Sequence, residues 1–95
     1  MSEKQIQTLL QEIKNEQHPS TFKEDEEFIG YIKDGIYDIN KICGAEIDYE
    51  KDLKARSLLK NYVLYADYKR LAEFRQLYGD EYAFLQAEYY KPTDL

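Results

Sequence analysis

From Asp48 to Tyr78 the chain reads DYEKDLKARSLLKNYVLYADYKRLAEFRQLY, without a proline or a glycine, before Gly79 follows. The stretch is rich in good helix formers. Asp48 can accept hydrogen bonds from the free N–H groups of a first turn, and Gly79 can take the left-handed conformation that stops a helix. The expectation is therefore one long central helix over about 48–78, roughly 45 Å long at ~1.5 Å per residue. Successive side chains turn by 100°, which sets Ala55, Leu58, Leu59, Tyr62, Val63, Tyr65 and Ala66 on one broad core-facing stripe. A second apolar seam runs nearly opposite, through Leu53, Leu64, Tyr68, Leu71 and Tyr78. One core needs one stripe. The second seam must meet either the C-terminal segment folded back over Leu71, Phe74 and Tyr78, or another copy of the chain. These five residues are the candidate subunit interface.

Upstream, Ile6, Leu9, Leu10 and Ile13 follow the spacing of a short amphipathic helix over residues 3–16, which ends before His18-Pro19 because the residue preceding proline avoids helical geometry. Thr21 and Glu24 fit a capping box that opens a second helix, from about Glu24 to Cys43. The acids Glu24, Asp25, Glu26 and Glu27 then sit in its first turns, where the helix dipole favours negative charge. Phe28, Ile29, Ile32, Ile36, Ile39, Ile42 and Cys43 form its apolar face. Gly35 lies on the same face, where the missing side chain lets another helix approach closely. Gly44 stops this helix, and the short link through Ile47 favours an antiparallel hairpin with the long helix, its end plugged by Ile47. After Gly79, Asp80 can cap a last helix from Glu81 to about Tyr90, with Tyr82, Leu85 and Tyr89 on one face and Phe84 beside them. The reading is an all-α single domain over residues 1–95, a small bundle of three to four helices. Residues 1–4 and 91–95 read as flexible tails.

Several function classes find no support. His18 is the sole histidine and Cys43 the sole cysteine, so no His/Cys set has metal-ligand spacing and no internal disulfide can form. Beside Ile39 and Ile42, Cys43 reads as a small buried apolar residue. No Gly-rich loop precedes a helix and no serine sits in an elbow motif. The alternating Glu46, Asp48, Glu50 and Asp52 lack the glycine and terminal glutamate of a calcium loop. No catalytic, cofactor-binding or metal-ligating residue is assigned. No apolar run approaches the ~20 residues of a membrane span, and MSEKQIQTLLQEIK has no signal-peptide core, so an intracellular soluble protein is expected.

Charge is uneven. Residues 24–52 carry ten acids against three lysines, whereas residues 53–75 carry six bases against two acids, within a net charge of −6. Such halves can neutralise each other within one fold or attract opposite halves of neighbouring copies, as a head-to-tail ring requires. A net acidic chain is a poor nucleic-acid binder, and the basic stretch is too interrupted by apolar seams to serve as a recognition helix. Ten tyrosines and no tryptophan suit interfaces, because tyrosine joins a rigid apolar ring to a hydroxyl that tolerates water. Tyr31, Tyr37, Tyr89 and Tyr90 fit the core stripes least well and are the candidate exposed partner contacts.

The order EDEEFIGYIKDGIYDINKICG, AEIDYEKD, ARSLLKNYVLYADYKRLAEF and LYGDEYAFLQAEY resembles the small head–tail connector (adaptor) proteins of tailed bacteriophages and prophages. The likeness spans roughly residues 24–90, with Asp52, Arg56 and Tyr65 as polar fixtures. It implies a helical, non-enzymatic virion subunit, made in the host cytoplasm and placed at the head–tail interface. About twelve copies would close into a ring through a heterologous contact. That ring would dock beneath the portal protein and bridge it to a stopper or tail-completion protein. DNA would pass through the channel without specific binding, since acids facing the lumen repel its backbone. The resemblance also implies a subunit that can be monomeric until it meets the portal. The alternative is a small acidic helical regulator that binds one protein partner as a monomer or dimer.

Overall fold

The computed structural model describes residues 1–17 and 24–92. His18, Pro19 and the Thr21 half of the expected capping box lie outside them, as do residues 93–95 of the expected tail. The described residues form five helices and no strand: α1 (Glu3–Gln17), α2 (Asp25–Cys43), α3 (Leu53–Asp67), α4 (Leu71–Leu77) and α5 (Gly79–Glu88). None is long and apolar enough to cross a membrane.

The first helix begins earlier than a loose tail would allow. The Ser2 N–H donates to Gln5 Oε1 at 2.8 Å, and the Gln5 N–H donates to Ser2 Oγ at 3.2 Å. This reciprocal capping box holds Glu3 and Lys4 in α1. Its buried stripe is Ile6, Leu9, Leu10 and Ile13. Ion pairs Lys33–Glu3 and Lys14–Asp25 set α1 antiparallel to α2. Three acids fill the first turn of α2, and Gly44 ends it in the left-handed region at φ 66°.

α2 and α3 pack as the antiparallel hairpin, with Ile47 buried at its end. At Gly35 they approach closely: a Cβ built there would lie 2.6 Å from Leu59 Cδ1 and 2.9 Å from Tyr62 Cδ1. Tyr49, in the connection, is also buried. Its hydroxyl donates to Asn40 Oδ1 at 2.7 Å, and the same oxygen accepts from the Ile47 N–H at 3.4 Å. Burial drives the Tyr49 hydroxyl pKa well above its ordinary value.

The long helix over 48–78 does not form. Asp48 begins a turn instead, accepting from the Lys51 and Asp52 N–H groups. The cap of α3 is Asp52, whose Oδ1 accepts from the Ala55 N–H at 3.0 Å. At the other end Lys69 takes a left-handed conformation, φ 58°. The Arg70 N–H donates to Tyr65 O at 2.8 Å and the Lys69 N–H to Ala66 O at 3.1 Å, the paired bonds of a Schellman stop. The chain turns here, and α4 and α5 fold back on the hairpin. Gly79 stops nothing, for it is the first residue of α5, and the Asp80 side chain makes no capping hydrogen bond. Only Tyr78 separates α4 from α5. Its N–H donates to Phe74 O, and its carbonyl accepts from the Tyr82 N–H, so the two helices form one bent arm.

Candidate interaction surface

Phe74 anchors the arm. It is fully buried, stacked on Tyr78 with ring centres 4.8 Å apart and met edge-on by Tyr62, Tyr65 and Tyr82 at 5.5–5.9 Å. Around this cluster, two carboxylates of the body hold the arm. Asp38 of α2 accepts from Arg75 Nη2 and, through Oδ2, from the Tyr82 hydroxyl at 2.9 Å. Asp52 accepts from the Tyr89 hydroxyl at 2.6 Å through the oxygen that does not cap α3. That bond, then burial, pushes the Tyr89 hydroxyl up to about 12. Gln86 donates to Ile42 O, and α5 runs parallel to α2.

On the other side of the body, Arg56 grips Glu12 with two bonds, Nε at 3.1 Å and Nη2 at 2.6 Å, and gives its third donor to Tyr49 O. Lys60 adds contacts to Glu12 and Glu16 at 2.8 and 3.0 Å. Hydrogen bonds from Arg56 and then Lys60 lower the Glu12 carboxyl from the ordinary 4.5 to about 2. Much of the basic charge of α3 is thus neutralised internally, by α1. Cys43 is buried, and burial followed by the Asp52 charge raises its thiol pKa. Among the described residues no three His, Cys, Asp or Glu side chains are grouped to hold a metal ion.

The five residues of the second seam do not form one strip. Leu53 is 70% exposed and Tyr68 54%, while Leu64 is half-buried. Leu71 and Tyr78 turn inward against the core once the helix breaks. The other tyrosines divide similarly. Tyr37 and Tyr90 stand out at 69% and 72% exposure; Tyr31 is half-buried edge-on to Phe28, and Tyr89 is held by Asp52. Leu77 and Phe84 are exposed as well. Sequence periodicity misses Leu77 because it assumes a straight helix there, and it places Phe84 beside the last helix's face without assigning it an exposed role.

Two kinds of surface result. Between α3 and α5 an open groove of about 400 Å³ is lined by Leu58, Tyr78, Phe84 and Leu85, with Lys54, Asp80 and Glu81 at its rim. The Lys54 ammonium lies 3.8 Å from the centre of the Phe84 ring. A separate groove, sharing no residue with the first, holds Tyr37 and Ile36 near the turn at Gly44 and Ala45. Both grooves offer apolar contact with a charged rim, Lys54, Asp80 and Glu81 at the first and Lys33, Lys41 and Glu46 at the second. No protein-family model, curated protein or solved structure matches this chain.

Proposed function

We infer that this chain is a structural subunit of a bacteriophage head–tail connector, assembling as a ring beneath the portal protein and joining the capsid to the stopper or tail. The observation that carries the reading is the presence of two separate apolar grooves on a chain that already has a complete core. Phe84 lies in one of them and Tyr37 in the other, while exposed Leu53 stands apart from both. Two unlike patches suit a heterologous contact, in which one face of a subunit meets a different face of the next and rotation closes the ring. The molecule measures 52 × 29 × 18 Å. It is about two helix layers thick, a slab that leaves broad faces for neighbours. The resemblance of residues 24–90 to connector proteins supplies the partners. A net charge of −6, with Arg56, Lys60 and Arg75 paired internally to acids, disfavours a grip on DNA and fits a channel through which DNA slides.

Mixing the chain with its cognate portal protein and imaging the product tests the reading. The expected result is a ring seated on the portal and lost when Leu53 and Phe84 are both replaced by Asp. A chain that leaves the portal bare overturns it.

A further inference from the structure

The stop after α3 is unusual in its residues. Tyr68, Lys69 and Arg70 are all compatible with a helix, the last turn of α3 has no basic residue, and α3 ends on the acid Asp67. A helix C-terminus disfavours an acid. A non-glycine residue at positive φ is itself unfavourable, yet Lys69 holds φ 58° and is exposed. Nothing local asks for a break here. What keeps it is the docking of the arm: Phe74 in its aromatic cluster, Arg75 and Tyr82 on Asp38, and Tyr89 on Asp52. If Lys69 returns to the right-handed region, α3 and α4 become one rod and the arm leaves its own body. On that rod Leu53, Leu64, Tyr68, Leu71 and Tyr78 fall within about 80° of arc, the single seam that the broken helix scatters.

We propose that α4–α5 is an exchangeable arm, hinged at Lys69, that docks on the body of a second copy. The partner is named by the fit already present: the surface that receives the arm is complementary to it, down to the two carboxylates. A second copy presents the same surface, so exchange rebuilds every contact in trans and removes the left-handed residue, the low-cost route by which identical chains join. From the connector reading the proposal takes only that copies of this chain meet. Passed from each subunit to the next, the arm gives an association that is directional and can close.

The test uses the full chain with Lys54→Cys and Phe84→Cys, one on the body and one on the arm, both exposed; the pair gives up the Lys54–Phe84 contact and leaves the Phe74 cluster and the Asp38 and Asp52 bonds in place. A short bis-maleimide bridges them, with peptide mapping to identify the 54–84 link. Native Cys43 is buried and stays in place. The expected result is a 54–84 link within one chain at low protein concentration, and increasingly between chains as concentration rises. Adding Lys69→Gly, which makes the left-handed turn easy, lowers the between-chain fraction about fivefold. Adding Lys69→Ile, an outlier at positive φ but acceptable in a helix, raises it. Links confined to single chains at every concentration overturn the proposal, as does between-chain linking indifferent to residue 69. If either cysteine disturbs folding, native mass spectrometry of the chain with residues 54 and 84 unchanged, with and without Lys69→Gly, measures the same exchange as a dimer fraction. Exchange in solution by a chain that leaves the portal bare removes the connector reading and keeps the arm; portal-bound rings linked only within chains do the reverse.

Discussion

The turns after α2 and after α3 share a backbone solution and differ in what enforces it. At the first, Gly44 sits at φ 66° and the Ala45 N–H reaches back to Asn40 O. At the second, Lys69 sits at φ 58° and the Arg70 N–H reaches back to Tyr65 O. Gly44 adopts this conformation at no steric cost, so the α2–α3 hairpin is shaped by its own residues. Lys69 adopts it against its preference, so the turn into the arm is shaped by what lies beyond it. One junction is written locally. The other is imposed by tertiary packing, and the two should respond differently to mutation.

Removing the arm's anchor should separate them most. Phe74→Ala empties a fully buried site and should destabilise by about 3–5 kcal/mol where the site cannot collapse. The loss should be regional: trypsin should cut at Lys69 and Arg70 faster while amide exchange in α1–α3 stays slow. Uniform acceleration would show that arm and body unfold as one unit. Next comes the body. Gly35→Ala drives a Cβ against Leu59 and Tyr62 and should cost about 1–3 kcal/mol by overpacking, read by urea denaturation.

At the junctions themselves the sign should reverse. Gly44→Ala should destabilise by about 1–2 kcal/mol, since alanine resists the left-handed region. Lys69→Gly should stabilise the closed form by about 0.5–1 kcal/mol. If both changes destabilise, the contrast between the junctions fails. The smallest effect concerns pH. Glu12, lowered to about 2 in the folded chain from the ordinary 4.5, binds protons more weakly when folded than when unfolded. Its contribution is therefore complete above pH 4.5 and drains away as pH falls toward 2. Thermal melts of Glu12→Gln should lose that part of the acid sensitivity, with the change confined to the body.

How far the sequence reveals the molecule follows the same division. The spacing of Ile6, Leu9, Leu10 and Ile13, the isoleucine face of α2, the Gly44 stop and the close approach at Gly35 all emerge from local rules, and the structure bears them out. The break at Lys69 does not, because it depends on Phe74 meeting Tyr62 beyond the turn and on Arg75 and Tyr82 reaching Asp38 across 37 and 44 residues of chain. The capping role passes from Asp48 to Asp52 for a related reason. Asp48 and Asp52 are equally good caps, and burial of Tyr49 with its bond to Asn40 decides where the connection ends. Exposure of Leu53 and Tyr68 is legible as an apolar seam, and so is the fold-back of the C-terminal segment over Leu71, Phe74 and Tyr78 as one of that seam's two readings; the break that turns Leu71 and Tyr78 inward is not.

Asp52 carries a further meaning. One of its oxygens starts α3 and the other receives the hydroxyl of Tyr89, so the same group serves the fixed and the removable part without sharing an atom between them. Undocking would strip one oxygen and leave the helix start untouched. The receiving surface needs no refolding between visitors, much as a socket keeps its shape whether or not a plug is in it.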